Sequence, residues 1–507
     1  MSETAFAESG KRLQNFLDRA GLRGFPWVAA TILYTISYGW FWNVQNSYWF
    51  DDSQFFRFKT ADIINQGFAP WYESYRLLFK LTGPNVFRFF TFMAFFFSSV
   101  FVFGVSKKVK MLDREDRIFF VLLFLLLPFN TTRATLITFL YTSAHVYFYL
   151  AWYLLVTFKS YRTYIVSAVL FFLSFQLHSL LVFFALPILH VFWLEVIEQK
   201  INLTKFVSKF GALGSLPIIY WLARSFFWPE RVRYHEISGD GLKRATLLGS
   251  VFIVFLVTAL LIARWSNANH KKSLKLIGLG AISVYLASMP YVIGGYVAGL
   301  PNFFSSYLTT FLGRSDHYSR HQVLQPLGAS LILTGLLCLL RLNQFYFKKG
   351  LWILIFAPIV FLNLSFGFEY VVDNTKQNLV IKTLRSESER MTATSFMFAD
   401  STQNLNARGR RVRDRDWVAA IVTAYGLDSV ESVEILPTCD GGENGRFVEI
   451  NGPETHWQAL KNWVGDGDMG FEVTIDDSPG ACKPEVMRVE RVSGVIPILF
   501  YFTGAKN

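Results

Sequence analysis

Charge is scarce in this chain. Asp, Glu, Lys and Arg together supply only 17% of the 507 residues, while apolar types supply 52%. A balance this poor in charge excludes an ordinary soluble protein. Cysteine is scarcer still. Cys338 lies inside an apolar run and only Cys439 and Cys482 lie in the polar C-terminal region, so no cysteine-based metal site with close ligand spacing is available. The chain also lacks a Walker loop, a dinucleotide fingerprint and a serine-nucleophile elbow with the required flanking elements, which leaves soluble nucleotide chemistry unsupported. No convincing internal repeat is visible, and repeats are common among secondary transporters.

Long apolar runs are plentiful. A helix needs about 20 largely apolar residues to cross the hydrocarbon, because lipid offers no partner to an open backbone group. Eleven such spans are expected, centred near residues 36, 96, 124, 148, 170, 188, 217, 254, 286, 332 and 359. Pro128-Phe129-Asn130 and Gln176-Leu177-His178 interrupt the third and fifth, which are therefore expected as tilted or broken helices. The chain divides into a cytoplasmic arm (1–25), a transmembrane domain (26–370) with a long first outer loop (47–87), and an extracytoplasmic domain (371–507). The fold class is mainly α, polytopic, with a small α/β or α+β C-terminal domain.

The net charge of +12 does not require nucleic acid, because Lys and Arg of a polytopic protein gather in short cytoplasmic loops. Assigning alternate connections to the two sides puts 21 Lys and Arg with the N-terminal arm and 13 on the other side, C-terminal domain excluded. The N-terminus is then inside, and an odd number of spans carries residues 371–507 outside. An oxidising compartment there would allow Cys439 and Cys482 to pair. The first span, Pro26 to about Asn46, follows a basic arm as a signal peptide does, but it ends in Trp49-Phe50-Asp51-Asp52 with no small-residue cleavage site and is expected to be retained. Within the tail, helices are expected over 414–425 and 457–464 and strands over 432–436 and 471–475.

The candidate site residues face outward. Asp51 and Asp52 stand where the first span emerges, followed by Gly67, Trp71, Glu73 and Arg76 in the first outer loop. A carboxylate there can take a proton from an attacking sugar hydroxyl; it can equally hold a divalent cation (Mg or Mn) against a phosphate, or simply cap a turn. Arg314, His317, Arg320 and His321 precede the tenth span, and their donors suit a phosphate or, alternatively, lipid headgroups. Arg133 lies near the outer end of the third span, at a depth where a charge faces a cavity or a partner. His178 separates two apolar runs and is read as either a packing residue or a substrate contact.

The acidic pair after an aromatic-rich first span, the long outer loop with Gly67, Trp71 and Arg76, the many further spans and the outward C-terminal domain together resemble the GT-C superfamily of polytopic glycosyltransferases. The likeness is greatest to bacterial glucosyltransferases that modify O-antigen. It implies a polyprenyl-phosphate sugar donor, a glycolipid or glycan acceptor such as lipopolysaccharide O-antigen, and transfer at the outer face of the inner membrane. By the same likeness Asp51 or Asp52 would be the general base. Glu73, Arg76, His178, Arg314 and His317 would bind substrate, and Arg320 with His321, or Arg133, would meet the leaving phosphate. The alternatives are an O-antigen or exopolysaccharide polymerase, which shares outer-loop Arg and His residues, and a transporter.

Overall fold

The computed structural model describes residues 22–42, 71–129, 133–229, 239–265, 268–293, 322–340, 345–386, 396–400, 471–476 and 485–491, with single positions at 18, 44, 49, 52, 406, 407, 420 and 424. Helices dominate the described residues. They are α1 Trp27–Tyr38, followed by a 3-10 turn to Trp42; α2 Tyr72–Ser106; α3 Arg114–Leu126; α4 Thr138–Thr157; and α5 Tyr161–Ser174. Next come α6 Ser179–Glu198, α7 Leu203–Phe227, α8 Gly239–Trp265, α9 Ala268–Ile293, α10 Gln325–Leu339 and α11 Phe345–Ser386. Each of the eleven expected span centres falls inside one of these helices.

Seven of the helices are long and apolar enough to cross a membrane: α2, α4, α6, α7, α8, α9 and α11. The chain is thus a multi-pass helical membrane protein. The other four are shorter, and two of them are the interrupted third and fifth spans. Asp113 caps α3 by accepting the Asp116 N–H at 2.9 Å, and α3 stops at Leu126, two residues before Pro128. After α5 ends at Ser174, the Gln176-Leu177-His178 segment forms turns before α6.

Two helices run across positions where the sequence marks a change of segment. Helix α2 already begins at Tyr72, inside the loop expected over 47–87. Gly83 takes φ +74° ahead of Pro84, so the pair that reads as a loop signal instead kinks one helix into two segments. Helix α11 continues to Ser386, past the boundary expected at 370/371. Its polar turns stay helical because Glu369, Asp373, Lys376 and Gln377 are buried and engaged: Asp373 accepts the Gln377 side-chain amide at 3.0 Å and the Ala407 N–H at 2.9 Å, and Lys376 donates to Asn406.

The helix ends meet on two faces. On one, Lys107 donates to the Arg23 carbonyl at 2.6 Å, Lys110 pairs with Glu198 at 2.9 Å, and Lys159 and Lys209 flank the buried Glu195 at 3.7 and 3.3 Å. On the other, the Trp40 ring stacks on Tyr370 at 5.2 Å, Trp71 donates to Gln176, Tyr291 donates to Ser179, and Gln325 donates to Ser288. These contacts place the two ends of α1, α2, α5 and α6 on opposite faces. Helices α9 and α10 approach so closely that a Cβ on Gly280 or Gly328 would stand 2.7 or 2.6 Å from the other glycine's carbonyl oxygen. Outward faces of α7 and α8 stay apolar, with Ile218, Trp221, Phe226, Ile253 and Val254 exposed, as a lipid-facing surface requires.

Beyond α11 lies a mixed three-stranded sheet: β1 Phe396–Asp400, β2 Phe471–Asp476 and β3 Glu485–Arg491, in the order β1-β3-β2. β1 runs parallel to β3 with Phe396 opposite Glu485, and β2 runs antiparallel with Phe471 opposite Arg491. Strand β2 occupies the segment expected over 471–475. The strand expected over 432–436 and the helix over 457–464 lie outside the described residues.

Candidate functional site

The connector between α3 and α4 is short, and Pro128 denies it helical continuation. Its open backbone groups must find partners elsewhere. Two buried charged side chains supply them. Asp52 accepts the Ile137 N–H with Oδ1 and the Trp49 N–H with Oδ2, each at 3.0 Å, and the Leu136 N–H also acts on the carboxylate. Arg88 of α2 donates from Nε to the Ala134 carbonyl at 2.9 Å and from Nη1 to the Val44 carbonyl at 2.7 Å, while its guanidinium lies 4.9 Å from the centre of the Trp49 ring. Together they join the exit of the first span to the start of α4.

Asp52 is fully buried, and burial pushes its carboxyl up to about 7 against the pull of the three backbone N–H groups and the Arg88 charge. Such a group titrates close to neutrality. Both of its oxygens are nevertheless committed to the backbone.

Arg133, on the same connector, is placed differently. It is 1% exposed, and its guanidinium is sandwiched between the rings of Tyr38 at 4.3 Å and Phe95 at 4.1 Å. Nη2 reaches the Phe129 and Leu127 carbonyls at 3.2 and 3.4 Å and the buried Tyr34 hydroxyl lies beside the guanidinium, whereas Nε and Nη1 make no well-formed hydrogen bond to a described residue and no described carboxylate pairs with it. Tyr38 is itself fixed, donating to Asn363 of α11 at 2.9 Å, and Asn363 donates to the Leu126 carbonyl at 2.8 Å. His145 of α4 lies across Phe95, ring centres 5.6 Å apart. Its Nδ1 is 3.2 Å from the Ser98 hydroxyl, and its Nε2 has no hydrogen-bond partner among the described residues. Tyr149, 4.6 Å from His145 ring to ring, likewise has a buried hydroxyl without one. A permanent cation and two further polar groups thus converge in the interior with bonding capacity to spare. Buried polar groups in that condition are rare and call for a ligand, an ion or water.

Of the residues singled out in the sequence, Asp52 and Arg133 meet at this connector. Glu73 and Arg76 pair with each other at 3.7 Å on the first turn of α2, with Glu73 exposed. His178 is half-buried before α6, its ring 6.4 Å from Tyr220. Asp51, Gly67, Arg314, His317, Arg320, His321, Cys439 and Cys482 lie outside the described residues. Among the described residues no cluster of three His, Cys, Asp or Glu side chains stands ready for a metal ion. Sequence reasoning missed Arg88 and His145. A signal existed for Arg88, a lone charge in the apolar run Val86-Phe87-Arg88-Phe89-Phe90; His145 has none, since a histidine in a helix core reads as packing.

The fold and this interior cluster define a polytopic helical membrane protein with a buried cationic centre near one face. Comparison with protein-family models, curated proteins and solved structures gave no match to the chain.

Proposed function

We propose that this protein is a membrane-embedded glycosyltransferase that moves a sugar from a polyprenyl-phosphate donor to lipopolysaccharide O-antigen or another cell-surface glycan. In this reading it crosses the inner membrane about eleven times, with the N-terminus cytoplasmic and a small α/β or α+β C-terminal domain outside. The observation that carries this is Arg133: a guanidinium held in the protein interior, with two nitrogens that lack a well-formed hydrogen bond and no acidic partner among the described residues, suits a phosphate. A lipid-linked donor also accounts for the depth of the site, because the polyprenyl chain never has to leave the bilayer. The basic connections gathered on the opposite face support the orientation.

In the proposed reaction the acceptor hydroxyl attacks the anomeric carbon and gives its proton to a carboxylate. The bond between that carbon and the phosphate oxygen breaks with inversion, and polyprenyl phosphate departs with its charge against Arg133. Asp52, with both oxygens bound to backbone N–H groups, positions the connector that carries Arg133, and the base falls to Asp51. The test is mass-spectrometric detection of polyprenyl phosphate when the purified protein meets polyprenyl-phosphate sugars and an acceptor glycolipid. Release by the wild type that is lost in Asp51→Asn supports the assignment. Full release by Asp51→Asn removes the base, and no release from any donor removes the transferase.

A further inference from the structure

Beside the Arg133 centre, on the same face, the ends of α2, α4, α5 and α7 enclose a second polar and aromatic group that the transfer chemistry does not use. Trp71, at the N-terminus of α2, donates its indole N–H to Gln176 Oε1 at 2.7 Å. Gln176 Nε2 is shared among the Tyr75 hydroxyl, the Leu140 carbonyl and the Ser143 hydroxyl, at 3.2 to 3.3 Å. The Trp71 plane is therefore fixed by a side chain that is itself fixed. Trp71 meets Trp228 at the end of α7 edge-on, ring centres 5.9 Å apart. Trp228 is 8% exposed and Tyr220 is fully buried; the indole N–H and the hydroxyl lie next to one another, yet neither makes a well-formed hydrogen bond with a described residue.

A membrane-interface tryptophan belt explains this group poorly, since belt residues direct their rings toward the headgroups. Here the rings turn toward each other, and only Trp71 keeps an accessible part. A rigid indole face with an orienting amide, and beside it an indole N–H and a hydroxyl without a well-formed hydrogen bond, suits a pyranose ring, which offers C–H faces for stacking and hydroxyls that need partners. The location is apt as well. Leu140, which holds Gln176, is three residues from Ile137, which holds Asp52, about 4.5 Å along α4.

We infer that Trp71, Gln176, Trp228 and Tyr220 form a subsite for a sugar residue of the acceptor glycan. It rests on the transferase reading for the word acceptor, but glycan binding can be tested without transfer. The full-length protein in nanodiscs is titrated with methyl α-glucoside, methyl α-galactoside, methyl α-rhamnoside and delipidated O-polysaccharide, with binding followed by saturation-transfer NMR. Wild type should bind at least one of them. Trp71→Ala should weaken that binding tenfold or more, Trp71→Phe by less, and where transfer is measurable Trp71→Ala should raise the acceptor KM while leaving the donor KM unchanged. Trp228→Phe, which keeps the packing and removes the N–H, serves if Trp71→Ala fails to fold. Wild-type protein that binds none of these glycans overturns the subsite, as does folded Trp71→Ala or Trp228→Phe protein with unaltered binding and acceptor KM. Trp71-dependent glycan binding by a protein that releases no polyprenyl phosphate from any donor upholds the subsite and removes the transferase.

Discussion

Replacing Arg133 with methionine separates a structural cation from a ligand-binding one. The side chain loses two cation–π contacts, each worth up to about 2 kcal/mol when desolvated. It also loses two long hydrogen bonds, at 3.2 and 3.4 Å, worth less than the usual contribution of about 1 kcal/mol each. Against this stands the cost of burying a guanidinium with no acidic partner among the described residues, itself several kcal/mol. The opposing contributions are of similar size, so Arg133→Met should change stability by less than about 2 kcal/mol in either direction. Transfer should suffer far more: removing a donor from a developing oxyanion slows reactions about 10²- to 10³-fold. Differential scanning fluorimetry in detergent and polyprenyl phosphate release measure the two effects on one preparation. Arg133→Lys keeps the charge without the planar fork and should fall between wild type and methionine. Folded Arg133→Met protein with wild-type release would refute the phosphate role, and collapse of the fold would show that the arginine is structural.

Asp52→Ala leaves the Trp49 and Ile137 N–H groups without their acceptor and should destabilise the protein by roughly 2–4 kcal/mol, read as a lowered thermal transition. Asp52→Asn should change the pH dependence of stability. The folded carboxyl titrates near 7 and the unfolded one near 3.8, so the raised group's contribution is full below 3.8 and is lost as pH rises through about 7; the variant should lack that decline in melting temperature. Gly328→Val puts side-chain carbon where Gly280 O and the Val284 side chain already stand and should cost about 1–3 kcal/mol or more as α9 and α10 separate, visible as a lower melting temperature. Glu73→Ala removes an exposed partner 3.7 Å from Arg76 and should shift the thermal transition negligibly, with a stability change of at most about 0.5 kcal/mol.

The eleven helix positions were legible because each is written as a run of apolar residues, seven of them long enough to cross a membrane. The breaks at Pro128 and Gln176-Leu177-His178 were legible for the same reason. The kink at Gly83-Pro84 was not: the two residues signal a turn, yet the chain is helical on both sides, with Phe79 and Phe87 packed against each other across the kink. The extension of α11 past residue 370 was hidden because Glu369, Asp373 and Lys376 look like exposed residues until their partners, among them the distant Asn406 and Ala407, are seen. Asp52 was found by its position, but its bond to Ile137, 85 positions away, lay beyond any local pattern.

The two arginines buried among the described residues carry equal charge at similar burial and meet it by different means. Arg88 has two backbone carbonyls at 2.7 and 2.9 Å, the Trp49 ring and a carboxylate, Asp52, close enough to feel its charge. That set satisfies a guanidinium whose task is to hold the exit of the first span against α4. Arg133 has two rings, two long contacts to carbonyls, the Tyr34 hydroxyl beside it and no described acid. Aromatic faces stabilise a cation without consuming its N–H donors, and a carboxylate partner would have both consumed donors and cancelled the charge. The pair of rings thus keeps Arg133 in place while leaving charge and hydrogen-bonding capacity to something that arrives. Asn363 extends the same logic by fixing Tyr38 from α11, so that the cradle is set before any ligand enters. Asn363→Leu should accordingly preserve the Arg88 side of the connector and loosen the Arg133 side, raising the KM for the polyprenyl-phosphate donor with little effect on glycan binding at Trp71. An equal loss at both sites would instead mark Asn363 as a general support of the fold.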